Sequence, residues 1–130
     1  MRNKRTTRLA LAVGVTVAAL AAGTIGTAYA QQAPPSYVAS PDIFKVIAQD
    51  AQTVLILADF KPGQRSNTLS QPARLVYSLT ACALRYTTAK GGYWVNNFGA
   101  ERPDSVTADE SVSIENVGST ECKVLIFQPK

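Results

Sequence analysis

The sequence predicts an all-β chain, and three observations carry that expectation. From Ile43 onward it is a succession of short runs rich in β-branched and aromatic residues. Glycine, proline and asparagine punctuate those runs at intervals of about eight to twelve residues. No segment repeats apolar residues at helical spacing over three turns. About seven or eight strands spaced in this way indicate a single antiparallel sandwich or barrel. With 130 residues in all, the chain can bury one modest core.

The elements follow in order. Residues 1–30 read as a helical signal peptide. Arg2, Lys4, Arg5 and Arg8 form a basic start, Leu9 to Ala22 is apolar and uncharged, and Ala28-Tyr29-Ala30 presents small residues at a cleavage point. The apolar run is about 21 Å long as a helix, short of the roughly 30 Å hydrocarbon core. Cleavage followed by export is therefore expected, with no stable membrane insertion afterwards; an uncleaved anchor is the alternative. Residues 31–42 contain three prolines and few anchors, and read as a flexible lead-in.

The domain proper spans 43–130. Ile43 to Ala48 is its first run. Thr53 to Phe60 is the second, with Val54, Ile56, Ala58 and Phe60 on one face and Leu55 and Leu57 on the other. Lys61-Pro62-Gly63 ends it in a turn. Arg74 to Leu79 and Ala83 to Thr88 are separated at hairpin spacing. Gly91-Gly92 turns the chain into Tyr93-Trp94-Val95. Ser111 to Asn116 alternates, with Val112 and Ile114 opposite Ser111, Ser113 and Glu115. Cys122 to Phe127 is apolar on both faces.

Charge excludes one class of partner. Of 13 basic and 9 acidic residues, four of the basic ones lie in the first eight positions. From Gln31 onward nine basic side chains face nine acidic ones, so no nucleic-acid footprint is expected. Histidine is absent, which removes the commonest metal ligand and the side chain that titrates near neutrality.

At this point the residues resemble a known family. Lys61-Pro62-Gly63, Leu69-Ser70-Gln71-Pro72, Leu75 to Leu79, Val112 to Thr120 and Val124 to Phe127 are together similar to the small single-domain cupins, over about Ile43 to Lys130. The resemblance implies a compact jelly-roll barrel. It also implies a metal site: a glycine, then His-x-His and a glutamate on one strand pair, and a histidine four positions before an asparagine on another. Here Gly63 matches the opening glycine and Asn116 the asparagine. Leu69 and Gln71 stand where the two histidines belong, Leu75 or Val76 at the glutamate, and Val112 at the last histidine. Leucine and valine offer no donor and a glutamine amide is a weak one, so no metal and no other cofactor is expected. Leu69, Gln71, Val76 and Val112 become candidate walls of an apolar barrel mouth.

Other constellations are weaker. Cys82 and Cys122 form an even pair in a chain expected to be exported, which suggests a disulfide, free thiols being the alternative. In a jelly roll the turns beside them lie toward the same end. Asp59 sits inside an apolar strand just before a turn, and with Arg74 and Tyr77 it is a candidate polar contact for a ligand. The other reading for Asp59 is a strand-end carboxylate, and for Arg65, Arg74 and Arg85 exposed solubilising charge. Asp104, Asp109 and Glu110 fall in a loop-like stretch, where solvation is the usual reason for charge. No Gly-x-Ser-x-Gly elbow and no phosphate-cradling glycine loop is present. The function expected is thus that of an exported, non-catalytic module that is structural or binds a small organic ligand. The alternative is a metal-independent or relocated-metal enzyme of isomerase or dioxygenase type. A homodimer would fit an interaction subunit.

Overall fold

The computed structural model describes residues 32–130. The predicted signal peptide lies outside the described residues. Nine strands run in chain order: β1 (Phe44–Gln49), β2 (Thr53–Phe60), β3 (Leu69–Gln71), β4 (Arg74–Ser78), β5 (Cys82–Thr88), β6 (Tyr93–Phe98), β7 (Arg102–Val106), β8 (Asp109–Asn116) and β9 (Cys122–Pro129). They form two antiparallel sheets, ordered β1-β2-β9-β4-β7 and β3-β8-β5-β6. The chain is an antiparallel jelly roll. Its core lies between the sheets and is built from alternate residues of each strand, Val54, Ile56, Ala58 and Phe60 on β2 and Val124 and Ile126 on β9 among them.

The framework turns that carried the resemblance meet in space. Gly63 adopts a positive φ of 77°, which glycine tolerates without a Cβ penalty. Its N–H donates to the Asn116 carbonyl at 2.9 Å, and Asn116 N–H donates to the Gln64 carbonyl at 3.0 Å. The buried Asn116 amide donates to the Phe60 and Thr120 carbonyls and accepts from Gly118 N–H. One asparagine thereby fastens the end of β2 to the turn that leads into β9.

Three features differ from the sequence reading. Arg74 to Leu79 and Ala83 to Thr88 do not form a hairpin: β4 pairs with β7 and β9, while β5 pairs with β6 and β8. The intervening residues carry the chain from one sheet to the other, with Leu79 N–H donating to the Lys123 carbonyl at 2.8 Å. The supposed loop around Asp104 is β7, an edge strand whose burial pattern shows no alternation. Pro103 is accommodated there because an edge strand leaves one side of its backbone unpaired.

The lead-in is also held against the barrel from Pro34 onward, with small polar side chains fitting where the backbones meet. Pro35 bridges Ser70 in parallel, and Ser70 N–H donates to the Pro34 carbonyl at 2.9 Å. One helical turn, α1 (Ser36–Ala39), follows. Ser36 and Ser40 are buried, and Asn67 donates to Ser40 Oγ and to the Ala39 carbonyl. This strap covers the free edge of β3, which would otherwise present unpaired backbone groups.

Candidate functional site

Period-2 alternation carries the residues that the resemblance singled out to the inside of the barrel. Leu69 and Val112 are register partners across β3 and β8, and Gln71 pairs with Asp109 on the same two strands. Leu69, Gln71, Val76 and Val112 are all buried. Gln71 and Val76 line the central cavity with Arg74, Tyr86 and apolar side chains such as Phe60 and Ile126. That cavity measures only about 20 Å³, the room of a single water molecule. The centre of the barrel is therefore filled by its own side chains; ligand-sized space lies outside it, in an open groove of about 490 Å³ where Gln71 and Gln128 meet Pro34, Tyr37 and Glu110.

Sequence reasoning missed the most polar feature of the interior. Arg74 and Asp109 form a buried ion pair, Nη2 to Oδ2 at 2.8 Å, with side-chain exposures of 2% and 8%. Arg74 Nη1 also donates to the Pro72 and Thr107 carbonyls at 3.2 and 3.1 Å. The guanidinium thus ties the β3–β4 and β7–β8 turns together, bridging the two sheets. Arg74 is neither an exposed solubilising charge nor free for an anionic ligand, and Asp109 is not a solvated loop carboxylate. Nearby, Tyr86 stacks on Trp94 with centroids 5.3 Å apart and planes 8° from parallel. Burial pushes the Tyr86 hydroxyl above its ordinary pKa, which keeps it protonated and poorly suited to act as a base.

The other two candidate polar contacts are elsewhere. Asp59 alternates outward between the buried Ala58 and Phe60, and Tyr77 alternates outward on β4 with 40% exposure. Asp59 instead joins Lys61, Glu121 and Lys123 at one end of the barrel, with Lys61 Nζ 3.7 Å from Asp59 Oδ2 and bonded to Glu121 Oε1. The Glu121 carboxyl is lowered to about 2, first by its bond to Lys61 and then by Asp59, while desolvation raises Asp59. Beside this cluster Cys82 and Cys122 are joined as a disulfide, their Cα atoms 5.1 Å apart.

The Glu121 shift has a sign that can be checked. A carboxyl held lower in the folded state contributes stability that is present above its ordinary 4.5 and is lost as pH falls toward 2. Asp59, shifted the other way, opposes that slope at higher pH. Glu121 is partly exposed, so salt screens the effect. Thermal midpoints between pH 5 and 2 are expected to fall less steeply in Glu121→Gln than in the parent at low salt, and the two slopes are expected to converge at high salt.

No family model matches the sequence, and no curated protein matches it. Solved structures do. A cupin domain from Bordetella pertussis Tohama I aligns at a TM-score of 0.57 with 15% identity, covering 75% of this chain and 96% of that one. The fold is that of the cupins. A cupin superfamily protein from Desulfitobacterium hafniense aligns at 0.46 with 17% identity over 67% of this chain and 75% of its own. A cupin domain from Schizosaccharomyces pombe aligns at 0.47 with 12% identity, and this chain spans 59% of its length.

The cupin fold raises the question of a metal, and the residues present do not fit one. The would-be ligand positions hold two aliphatic groups that face each other, a third in Val76, and one amide. Asp109, the carboxylate opposite Gln71, is committed to Arg74. Among the described residues no group of three or more histidine, cysteine, aspartate or glutamate side chains is placed to hold an ion. Transition-metal sites need such donors. Gln71 Nε2 and Gln128 Oε1 are buried without a partner among the described residues. Each such group costs about 1–3 kcal/mol.

Proposed function

We propose that this protein is an exported, non-catalytic cupin-fold module whose barrel interior serves as core and whose outer surface does the work. The observation that carries the reading is the closed interior, a cavity of about 20 Å³ lined by apolar side chains and a self-neutralised Arg74–Asp109 pair. Export is supported by the leader pattern and by the disulfide, a bond that persists in oxidising compartments. A small organic ligand has no room at the centre, which favours a structural role over the binding of one there.

The competing reading, a metal-independent enzyme, needs free polar groups converging inside the barrel. Arg74, Asp109 and Tyr86 do converge, but the first two are committed to each other and the third is kept protonated. Thermal melting against first-row divalent metals and a panel of sugar phosphates, carboxylic acids and aromatic acids tests the proposal, because a ligand of the folded state raises the midpoint by mass action. No saturable rise is expected. A saturable rise that disappears in Gln71→Met would overturn the reading.

A further inference from the structure

Cys122 opens β9 at the disulfide, and Gln128 lies near the strand's other end. Alternation along β9 turns Cys122, Val124, Ile126 and Gln128 inward in succession, so an amide takes the last place in a core row. Gln71 does the same at the end of β3, all of whose residues are buried. Gln71 is 3% exposed and Gln128 2%, and both line the open groove of about 490 Å³ at this end of the barrel. Gln71 Nε2 and Gln128 Oε1 find no partner among the described residues. Polar groups in a core are ordinarily paired, because an unpaired one has given up its bonds to water and gained nothing. Here one donor and one acceptor are left over, beside a concavity of the size that takes a small ligand.

The other walls of the groove narrow the kind of ligand. Pro34, Tyr37 and Pro72 supply apolar surface, and the strap that carries the first two is fixed to β3 by the bond from Ser70 N–H to the Pro34 carbonyl, so this wall is preformed. Glu110 and Lys130 bring exposed charges of opposite sign to the same groove, and neither forms an ion pair with a described residue. We infer that the groove binds a short peptide with free ends. A peptide group offers a carbonyl to Gln71 Nε2 and an N–H to Gln128 Oε1. A glutamine amide turned about its Cγ–Cδ bond exchanges donor and acceptor, and a peptide, which carries both, serves either setting. The peptide's ammonium suits Glu110, its carboxylate suits Lys130, and small apolar side chains suit the proline and tyrosine wall. A neutral sugar could satisfy the two amides but would leave both charges without a use. A ligand of one charge only would meet one partner and one like charge.

This inference rests on the closed-interior reading and deepens it by naming what the outer surface takes. Calorimetric titration of the purified protein with trialanine tests it, and the thermal midpoint recorded alongside should rise by mass action. Saturable binding with a dissociation constant of about 1 mM or tighter is expected. The side-chain amide resonances of Gln71 and Gln128 are expected to shift along the same titration. Gln128→Met, which removes the unpaired acceptor at similar volume, is expected to weaken binding about tenfold while keeping or raising the midpoint of the free protein. Tyr37→Ala, at a half-buried position, is expected to weaken it as well. Glu110→Gln is expected to weaken trialanine but to leave N-acetyl-trialanine amide, whose ends are blocked and whose affinity is lower, unchanged. Maltose is expected not to bind. An absence of saturable trialanine binding, a Gln128→Met variant that binds as the parent does, blocked and free peptides of equal affinity, or maltose bound as tightly as trialanine would overturn the inference. Gln128 and Tyr37 do not line the central cavity. The peptide arms therefore leave the closed interior untouched, and the metal and ligand melts test that separately.

Discussion

Asp109→Ala is expected to destabilise the fold by about 3–5 kcal/mol, because it leaves the Arg74 guanidinium charged, buried and without its counter-charge. Arg74→Leu, which strands the carboxylate instead, is expected to cost a similar amount. The double variant Arg74→Leu/Asp109→Leu removes both charges together, and its cost is expected to be far below the sum of the singles. Urea unfolding at constant m-value measures all three. The reasoning is asymmetric: a buried pair contributes little net stability, yet breaking it leaves an ion in a site that cannot solvate it. If Asp109→Ala cost less than about 1 kcal/mol, the pair would have to be hydrated, and the barrel end beside it open.

The second large effect belongs to the disulfide. Cys82 opens β5 in one sheet and Cys122 opens β9 in the other, 40 residues apart, so the bond staples the two layers. Closing a loop of that length lowers the entropy of the unfolded chain by an amount equivalent to about 4 kcal/mol. Cys82→Ser/Cys122→Ser is expected to lower the thermal midpoint by roughly 15–30 °C, given about 4–8 °C per kcal/mol for a domain of this size. Reduction of the parent with excess thiol is expected to lower it comparably. An unchanged midpoint after verified reduction would show that the layers are held by packing alone.

How much of this was legible depended on how local each cause is. β2 announces itself through eight alternating residues that are the strand itself, and β9 through a run apolar on both faces that stops two residues short of the strand's end at Pro129. The jelly roll was legible because Gly63 and Asn116 mark turns whose geometry the fold requires, and those turns remain although the histidines do not. β7 was not legible: Arg-Pro-Asp-Ser-Val has no alternation, since an edge strand with little burial has no face to pattern.

The site was the least legible part. Arg74 and Asp109 are 35 positions apart and meet only because β4 and β8 lie in opposite layers. The phase of β8 also misleads. Ser111 takes a positive φ of 50°, and the β3–β8 register slips between Leu69 and Gln71. Asp109 and Val112 therefore both face inward, where strict alternation would separate them. The adjacent acids Asp109 and Glu110 look alike in sequence, and only that irregularity buries one and exposes the other. Asp59 misled in the opposite direction, its apolar neighbours being the inward half of an alternating strand.

The most direct measurement of the central claim is the metal content and metal affinity of the purified protein. Elemental analysis after dialysis against a chelator, followed by calorimetric titration with manganese, iron, nickel, copper and zinc, reads both. The account predicts no stoichiometric metal and no saturable heat, with a thermal midpoint that the metals leave unchanged. One transition metal ion per chain, retained through dialysis or bound on titration and lost in Gln71→Met, would contradict it.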